Sequence, residues 1–524
     1  MSGALRYELH FGNRVVACRP ERPGSVDAML AETVARHGAR LALVDGETRM
    51  SYAALDDAVG RIAASLAARG VGAGDRVALL MGNCAEFVVL IYACARLGAV
   101  SVPLSPREQS AGITHALRNS GAVAVIAEAG LAPLVPGASE LTDLRARFSL
   151  GAAEGFEPYD NLLTSHPLTD PAPVGEDEVA TILYTSGTTG TPKGATLTGL
   201  GIVHSATNFV EVMGLGCDDR SVVTVPMNHV TGLLASVHAL VRAGGAMVVL
   251  RAFKAAHFLE LAQAEGMTHT IMVPAMYNLC LHQTDITQHD LSAWRIGGYG
   301  GAPMPAATIE RLADALPNLG LMNAYGATET TSPATLMPAA ETAARRLSVG
   351  LPVPGAEILV MDEEGRELPA GETGELWIRG PMVVPGYWKN EVATEREFTA
   401  GFWRSGDIGM IDAEGYVHVL DRRKDVVNRG GHKIYSAQVE SLLISHPGVI
   451  EAAVIAKPCP ILGERVHAVV VGQGLGEAPL RALCAEHLAD YQCPESYTLA
   501  TDPLPRNANG KILKRTIREK LGFL

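Results

Sequence analysis

The sequence predicts an α/β protein of several domains: a large N-terminal domain of α/β subdomains with a small β-subdomain, followed by a small α+β C-terminal domain. Three observations carry this reading. At 524 residues the chain is far longer than one typical domain, so two to four domains are expected. From about residue 50 to 330, apolar runs of strand length alternate with helix-length segments, the layout of parallel sheets covered on both faces. From about 345 to 420 the texture changes to short β runs separated by turn signals, and beyond a charged cluster over 421–425 the rest of the chain reads as a compact unit of its own.

The individual elements follow in order. Residues 77–81 read as a strand leading into a helix over 85–97 and a strand over 100–104. The run over 221–226 leads likewise into a helix over 232–242 and a strand over 246–250, and each set is a βαβ unit. The most apolar stretch, 87–104, contains Arg96 and is broken by Gly98 and Pro103, so it reads as a buried helix and strand and not as a membrane span. Strands over 357–361, 374–378 and 416–420, with a turn over 362–365, build the β-subdomain. No solenoid repeat or low-complexity segment is evident.

Charge and cysteine usage narrow the partners. A net charge of −13 and a pI of about 5.7 argue against a nucleic-acid partner, because phosphate backbones reward clustered Lys and Arg. A small-molecule substrate is expected instead. Eight cysteines (18, 84, 94, 217, 280, 459, 484 and 493) show no CxxC pair and no Cys/His ligand spacing, which indicates neither a disulfide framework nor a structural zinc site. Reduced thiols and the lack of a basic-then-apolar N-terminal segment point to the cytoplasm. The oligomeric state stays open, a homodimer being one option.

The most informative run is YTSGTTGTPKGA over 184–195. Gly187 and Gly190 let backbone N–H groups turn inward, Thr185, Ser186, Thr188 and Thr189 add hydroxyl donors, and Lys193 adds a positive charge. That combination wraps a polyphosphate. It is not a Walker loop, since Pro192 precedes Lys193 and Gly194 follows it. A flexible polar linker has a similar composition, but the apolar strand candidate over 179–184 places the loop at the edge of a sheet, where nucleotide loops commonly sit.

Further ligand-like groups follow. Gly300, Gly301, Ala302 and Pro303 precede the run NAYGATE over 323–329. There Asn323 can read an amine edge, Tyr325 offers a flat face to a purine, Thr328 can bond a phosphate oxygen, and Glu329 is a hard oxygen ligand for magnesium. Asp407, in WRSGD over 403–407, can accept both hydroxyls of a ribose, and Arg422 is a bidentate donor. Lys511, after the flexible Gly510, suits a charge delivered by a mobile element. Each alone also reads as an ordinary turn or surface residue.

In family order, the motifs over 184–194, 300–303, 325–329, 374–380 (GELWIRG), 386–388 (GYW), 405–407 (SGD), 422–425 and 510–511 resemble those of the adenylate-forming superfamily of acyl-CoA synthetases, adenylation domains and beetle luciferases. The resemblance covers nearly the whole chain. It implies a two-step ligase in which a carboxylate and ATP give an acyl-adenylate and pyrophosphate, and the thiol of coenzyme A then takes the acyl group. It implies an AMP-binding domain over 1–421, a hinge over 422–425 with Lys424 at the pivot, and a mobile C-terminal domain over 426–524. Thr188, Thr189 and Lys193 would hold the β- and γ-phosphates, Tyr325, flanked by Ala324 and Gly326, would stack on adenine, and Glu329 would bind Mg2+. Asp407 and Arg422 would grip the ribose, and Lys511 would stabilise charge in the transition state of adenylation. The loop over 427–433, with Gly430, Gly431 and Lys433, would receive the pantetheine arm of coenzyme A.

The same layout puts the acyl group near His229, Val230, Gly298, Tyr299 and Thr330. These residues are mostly neutral, so an apolar monocarboxylate, fatty or aromatic, is favoured over a dicarboxylate or amino acid, whose second charge would need a buried counter-ion. His229 can be read as a gate or as a packed core imidazole, and Tyr299 as pocket wall or as core. Two departures from the family pattern stand out. The Glu-x-Glu after the hinge reads Gln438-Val-Glu440, and the His that commonly follows the phosphate loop is replaced around Gly199. The second bears on the thiol acceptor and keeps a carrier-protein phosphopantetheine as the alternative.

Overall fold

The computed structural model describes residues 4–137, 139–185, 192–302, 304–506 and 512–523. Two sheets carry the large N-terminal part. The first has seven strands, in spatial order Lys193–Thr198, Val179–Thr185, Val100–Leu104, Arg76–Leu80, Ala122–Glu128, Ala146–Leu150 and Glu157–Pro158. The second has nine, with a parallel centre of Gly320–Tyr325, Ile296–Gly300, His269–Met272, Arg220–Val223, Ala246–Val249 and Leu41–Asp45. The two expected βαβ units are both present as parallel strand pairs, one in each sheet.

The helix Ala85–Leu97 is buried at nearly every position and belongs to a core that takes residues from both sheets. A helix that is apolar all round belongs in such a place. Its buried charge, Arg96, is matched inside by Asp27 at 3.0 Å and Asp56 at 2.6 Å, and Gly98, at φ 64°, ends the helix in the left-handed conformation that glycine permits. Among the described residues no helix is long and apolar enough to cross a membrane.

The helix expected over 232–242 opens differently. Residues Gly232–His238 form a π-turn, and only Ala239–Ala243 is α-helical. A Cβ on Gly232 would lie 2.1 Å from the Pro226 carbonyl oxygen, so the chain approaches itself too closely there for any side chain. Such turns concentrate at functional positions, and this one starts three residues after His229.

Next comes a five-stranded sheet of Glu357–Met361, Gly374–Arg379, Phe398–Thr399, Phe402–Ile411 and Val417–Arg422. The last unit begins at Val427, with a largely antiparallel sheet built on Val449–Cys459 and Gly463–Gly472. Its two core clusters contain no residue before Val427. The architecture is thus a large N-terminal α/β domain followed by a small C-terminal one.

Candidate active site

The feet of the phosphate loop are fixed by strand pairing. Thr185 ends one strand and Lys193 opens its antiparallel partner, directly opposite in register, and the Thr185 hydroxyl donates to the Lys193 carbonyl at 3.3 Å. Ser186, Gly187, Thr188 and Thr189, together with Pro303 and Lys511, lie outside the described residues. Lys193 is 9 % exposed. Its Nζ donates to Glu397 Oε1 at 2.7 Å and Oε2 at 2.8 Å, and it sits 4.1 Å from the centre of the Tyr387 ring. The Tyr387 hydroxyl lies 2.5 Å from Glu397 Oε2 and 2.8 Å from Glu329 Oε1. A continuous polar line, Lys193, Glu397, Tyr387, Glu329, therefore joins the phosphate loop to the run over 323–329.

Electrostatics of that line are unequal. Burial alone would raise the Glu397 carboxyl, but hydrogen bonds from Lys193, Tyr387 and Arg396 outweigh it and hold the group below the usual range. Burial and then the neighbouring carboxylates push the Tyr387 phenol far up, so it keeps its proton and donates to both carboxylates. One hydroxyl proton cannot serve two carboxylates fully, and Glu329 is left with oxygen lone pairs to spare in a buried place. That donor set fits a hard divalent cation.

The nucleoside residues meet from three parts of the chain. Gly300 faces Ala324 in the parallel pair of strands, and a Cβ on it would lie 2.4 Å from the Ala324 carbonyl oxygen. Gly301 follows in the left-handed region at φ 77°, with Ala302 exposed beside it. The Tyr325 hydroxyl donates to Asp407 Oδ2 at 2.7 Å, and Arg422 Nε lies 2.9 Å from Asp407 Oδ1. Asp407 and Arg422 are direct cross-strand partners, which is why they can pair. Thr328 opens the tight turn Thr328–Thr330, and a Cβ on Gly326 would crowd Thr330 and Ala334 at 3.1 Å.

Asn323 is buried on strand Gly320–Tyr325, directly beside Tyr299 of the adjacent strand.

The acyl residues divide in the same way. On strand Ile296–Gly300 a Cβ on Gly298 would meet Ile271 and Met213 at 3.2 Å, whereas Tyr299 belongs to a separate core with Tyr277 and Trp294. Strand alternation puts the two on opposite faces, so Tyr299 is core and does not share a wall with Gly298. Thr330 spends its hydroxyl on its own turn, accepting from Ala327 N at 3.0 Å. Val230 is buried, and His229 is half-buried with its imidazole held below the usual range by burial. Asn83 fixes the segment leading to His229, donating to the Val225 carbonyl at 3.0 Å and accepting from Met227 N at 2.8 Å. Asn83 escaped the sequence reading, as did Glu397.

Gly430 and Gly431 form the two-residue turn between strands Val427–Arg429 and His432–Ile434, at φ 60° and 93°, a turn that glycine favours at both positions. Lys433 Nζ makes an exposed 3.2 Å contact with Glu363 of the β-subdomain, a surface pair worth little. Lys424 is exposed in the short turn between Arg422 and Val427. Behind it, Asp421 Oδ2 accepts from the Ser436 hydroxyl at 2.7 Å, and Lys514 Nζ reaches Ser436 Oγ at 2.6 Å and Glu440 Oε1 at 2.7 Å.

A two-domain α/β fold with a lysine-bearing phosphate loop and a Tyr–Asp–Arg cluster defines a nucleotide-using ligase architecture. Comparison with known proteins agrees: residues 30–388 match the AMP-binding enzyme family and residues 438–511 match the AMP-binding enzyme C-terminal domain. The chain belongs to the AMP-binding enzyme family and is an acid–thiol ligase of the adenylate-forming superfamily. It is 35 % identical over 480 residues to a feruloyl-CoA synthase of an Amycolatopsis species, covering 91 % of this chain and 95 % of that protein. It is 34 % identical over 490 residues to the fatty acid–[acyl-carrier-protein] ligase ScoC of Streptomyces coeruleorubidus, covering 91 % and 92 %. Among solved structures, the anthranilate CoA ligase AuaEII in complex with anthranoyl-AMP superposes with a TM-score of 0.89 at 25 % identity, covering 95 % of this chain and 97 % of that one.

Proposed function

We propose that this protein adenylates an apolar monocarboxylate, fatty or aromatic, and then transfers the acyl group to coenzyme A. In the first step a carboxylate oxygen attacks the α-phosphorus of ATP and the bond to the β-phosphate breaks, releasing pyrophosphate. In the second the thiol sulfur of coenzyme A displaces AMP from the acyl carbon. Thr185, Ser186, Thr188, Thr189 and Lys193 receive the phosphates, Tyr325 stacks on adenine, Asp407 and Arg422 hold the ribose, and Lys511 stabilises the charge that develops at the α-phosphate and carboxylate. Glu329 would hold Mg2+, and the ion would supply neutralisation of phosphate charge.

The observation that carries the nucleotide part is the convergence of Tyr325 and Arg422 on the Asp407 carboxylate, beside the line from Lys193 to Glu329. Apolar specificity is supported by the surroundings of Gly298, where Ile271 and Met213 approach, and by a His229 kept neutral by burial. A charged second group would find no counter-ion among these described residues. The relatives named for ferulate, fatty acids and anthranilate span both acid classes. Unpaired thiols at all eight cysteines suit the cytoplasm.

The test is pyrophosphate release from ATP across fatty, benzoic, cinnamic and short dicarboxylic acids, with and without coenzyme A. Turnover of one apolar class to its thioester is expected, and Lys511→Ala should damage the first half-reaction most. Preferential turnover of dicarboxylates would overturn the pocket argument. A carrier-protein acceptor is the second reading, favoured by the likeness to ScoC; a single burst of pyrophosphate that coenzyme A does not extend, but a phosphopantetheinylated carrier does, would establish it.

A further inference from the structure

Far from these residues in sequence, the N-terminal hairpin Arg6–His10 and Arg14–Cys18 gathers three metal-type donors. In its antiparallel register Arg6 faces Cys18, Glu8 faces Val16 and His10 faces Arg14. Residues two apart on one strand, and those opposite them, share a face, which puts Glu8, His10 and Cys18 together. One ligand atom from each lies within 4.8 Å of the others. His10 Nε2 is 3.4 Å from Glu8 Oε2, close to the edge of about 3.3 Å expected between nitrogen and oxygen ligands about 2.0 Å from a tetrahedral ion. Cys18 is fully buried and His10 is 8 % exposed.

The other ring nitrogen supplies an independent pointer. His10 Nδ1 lies 2.7 Å from Asp177 Oδ1, and Asp177 Oδ2 accepts from Phe11 N at 2.8 Å. A carboxylate on Nδ1 holds the ring with Nε2 turned toward Glu8, the usual support of a metal-bound imidazole. Three carboxylates, Glu8, Glu176 and Asp177, face two arginines around the cluster. Arg22 donates to Glu8 Oε2 at 2.8 Å and also pairs with Glu176 at 2.6 Å, while Arg6 lies on Glu8 Oε1 at 2.7 Å. Each carboxylate oxygen has two lone pairs, so Glu8 Oε2 can keep Arg22 and still bind an ion.

We propose that Glu8, His10 and Cys18 form a zinc site, with Asp177 orienting His10 and a fourth position taken by water. A donor set of one thiolate, one imidazole and one carboxylate suits Zn2+. Binding forms a zinc–sulfur bond and expels the Cys18 proton to solvent. A thiol must lose its proton to ligate the ion, so uptake releases one proton and tightens with rising pH. An occupied site would tie the hairpin to Asp177, two residues ahead of the strand Val179–Thr185 that leads to the phosphate loop.

The test is titration of the full-length protein with Zn2+, and with Co2+ as a spectroscopic probe of thiolate ligation, with pH measured in weak buffer. One equivalent is expected, with a cobalt–thiolate charge-transfer band and release of about one proton. Cys18→Ser and His10→Gln should lose that equivalent, and Asp177→Asn should weaken it about 10- to 100-fold. Absence of the band in the unmutated protein, or an unchanged equivalent in Cys18→Ser, overturns the proposal. Should a variant fail to fold, the cobalt band and the proton release of the unmutated protein still decide between zinc site and ordinary hairpin.

Discussion

Lys193, at the foot of the phosphate loop, is held by both carboxylate oxygens of Glu397, at 2.7 and 2.8 Å, more than two hundred residues further along the chain. Both side chains are largely buried, so removing one partner strands the other. Glu397→Ala should therefore cost about 3 kcal/mol in stability and raise the KM for ATP, whereas Glu397→Gln keeps an acceptor and should cost less. Urea unfolding of Glu397→Ala, Lys193→Met and the double variant gives the coupling energy. A value near zero would mean that the two side chains are neighbours without being partners.

Tyr325 and Asp407 are coupled through one hydrogen bond, and Asp407 through another to Arg422. Tyr325→Phe keeps the ring and loses only a donor, so a rise of about 3- to 10-fold in the KM for ATP is expected. Asp407→Asn leaves Arg422 without its charge partner and should lose about 100-fold in kcat/KM. Steady-state pyrophosphate release at varied ATP distinguishes them. Equal losses in both variants would contradict the assignment of the larger share to the Asp407–Arg422 pair.

Two fully buried imidazoles should make the protein acid-sensitive. His204 and His238 each have an Nε2 without a partner among the described residues. Burial pushes both down from 6.5 to about 3, with Arg19 adding to the effect at His204. Below 6.5 the unfolded chain takes up protons that the native state refuses, so this stability is whole above that pH and falls as pH drops toward 3. At about pH 5 each residue costs about 2 kcal/mol. These two residues alone should lower the unfolding free energy measured by urea by about 4 kcal/mol from pH 7 to 5, and His238→Gln should reduce the observed fall by about 2 kcal/mol. A flat profile over that range would refute the argument.

What was legible in the sequence was local. The helix over 85–97 is found at Ala85–Leu97 because an unbroken apolar run ends at a glycine that caps it. The residues of the proposed nucleotide site stand out in the sequence because glycines, hydroxyls and one lysine crowd into short runs. Strand order was not legible: Leu41–Asp45 pairs with Ala246–Val249 and not with the nearer Arg76–Leu80, a choice made by long-range packing. Glu397 was invisible because it lies in the helix Glu391–Glu397, beside Glu391 and Glu395, where a glutamate reads as a solvated face. Tyr299 and Gly298 are adjacent in sequence, so grouping them in one pocket overlooked the period of two that sends neighbours to opposite faces. The donors Glu8, His10 and Cys18 lack any metal spacing along the chain and meet only through hairpin register.

Gly300 shows how a small residue sets the site. A methyl group there would lie 2.4 Å from the Ala324 carbonyl oxygen on the neighbouring strand, and backbone, unlike the tip of a long side chain, cannot swing away. Gly300→Ala should force the strands Ile296–Gly300 and Gly320–Tyr325 apart where they position Gly301 and Tyr325, residues of the proposed nucleotide site. The expected cost is about 1–3 kcal/mol in stability, with a weaker KM for ATP. Gly24→Ala is the control, since a Cβ there meets nothing within 4 Å, and its effect should stay within about 0.5 kcal/mol. Thermal unfolding and ATP kinetics on the pair decide it: equal behaviour of the two variants would show that the strands accommodate the methyl group, and that the close approach at Gly300 does not constrain the site.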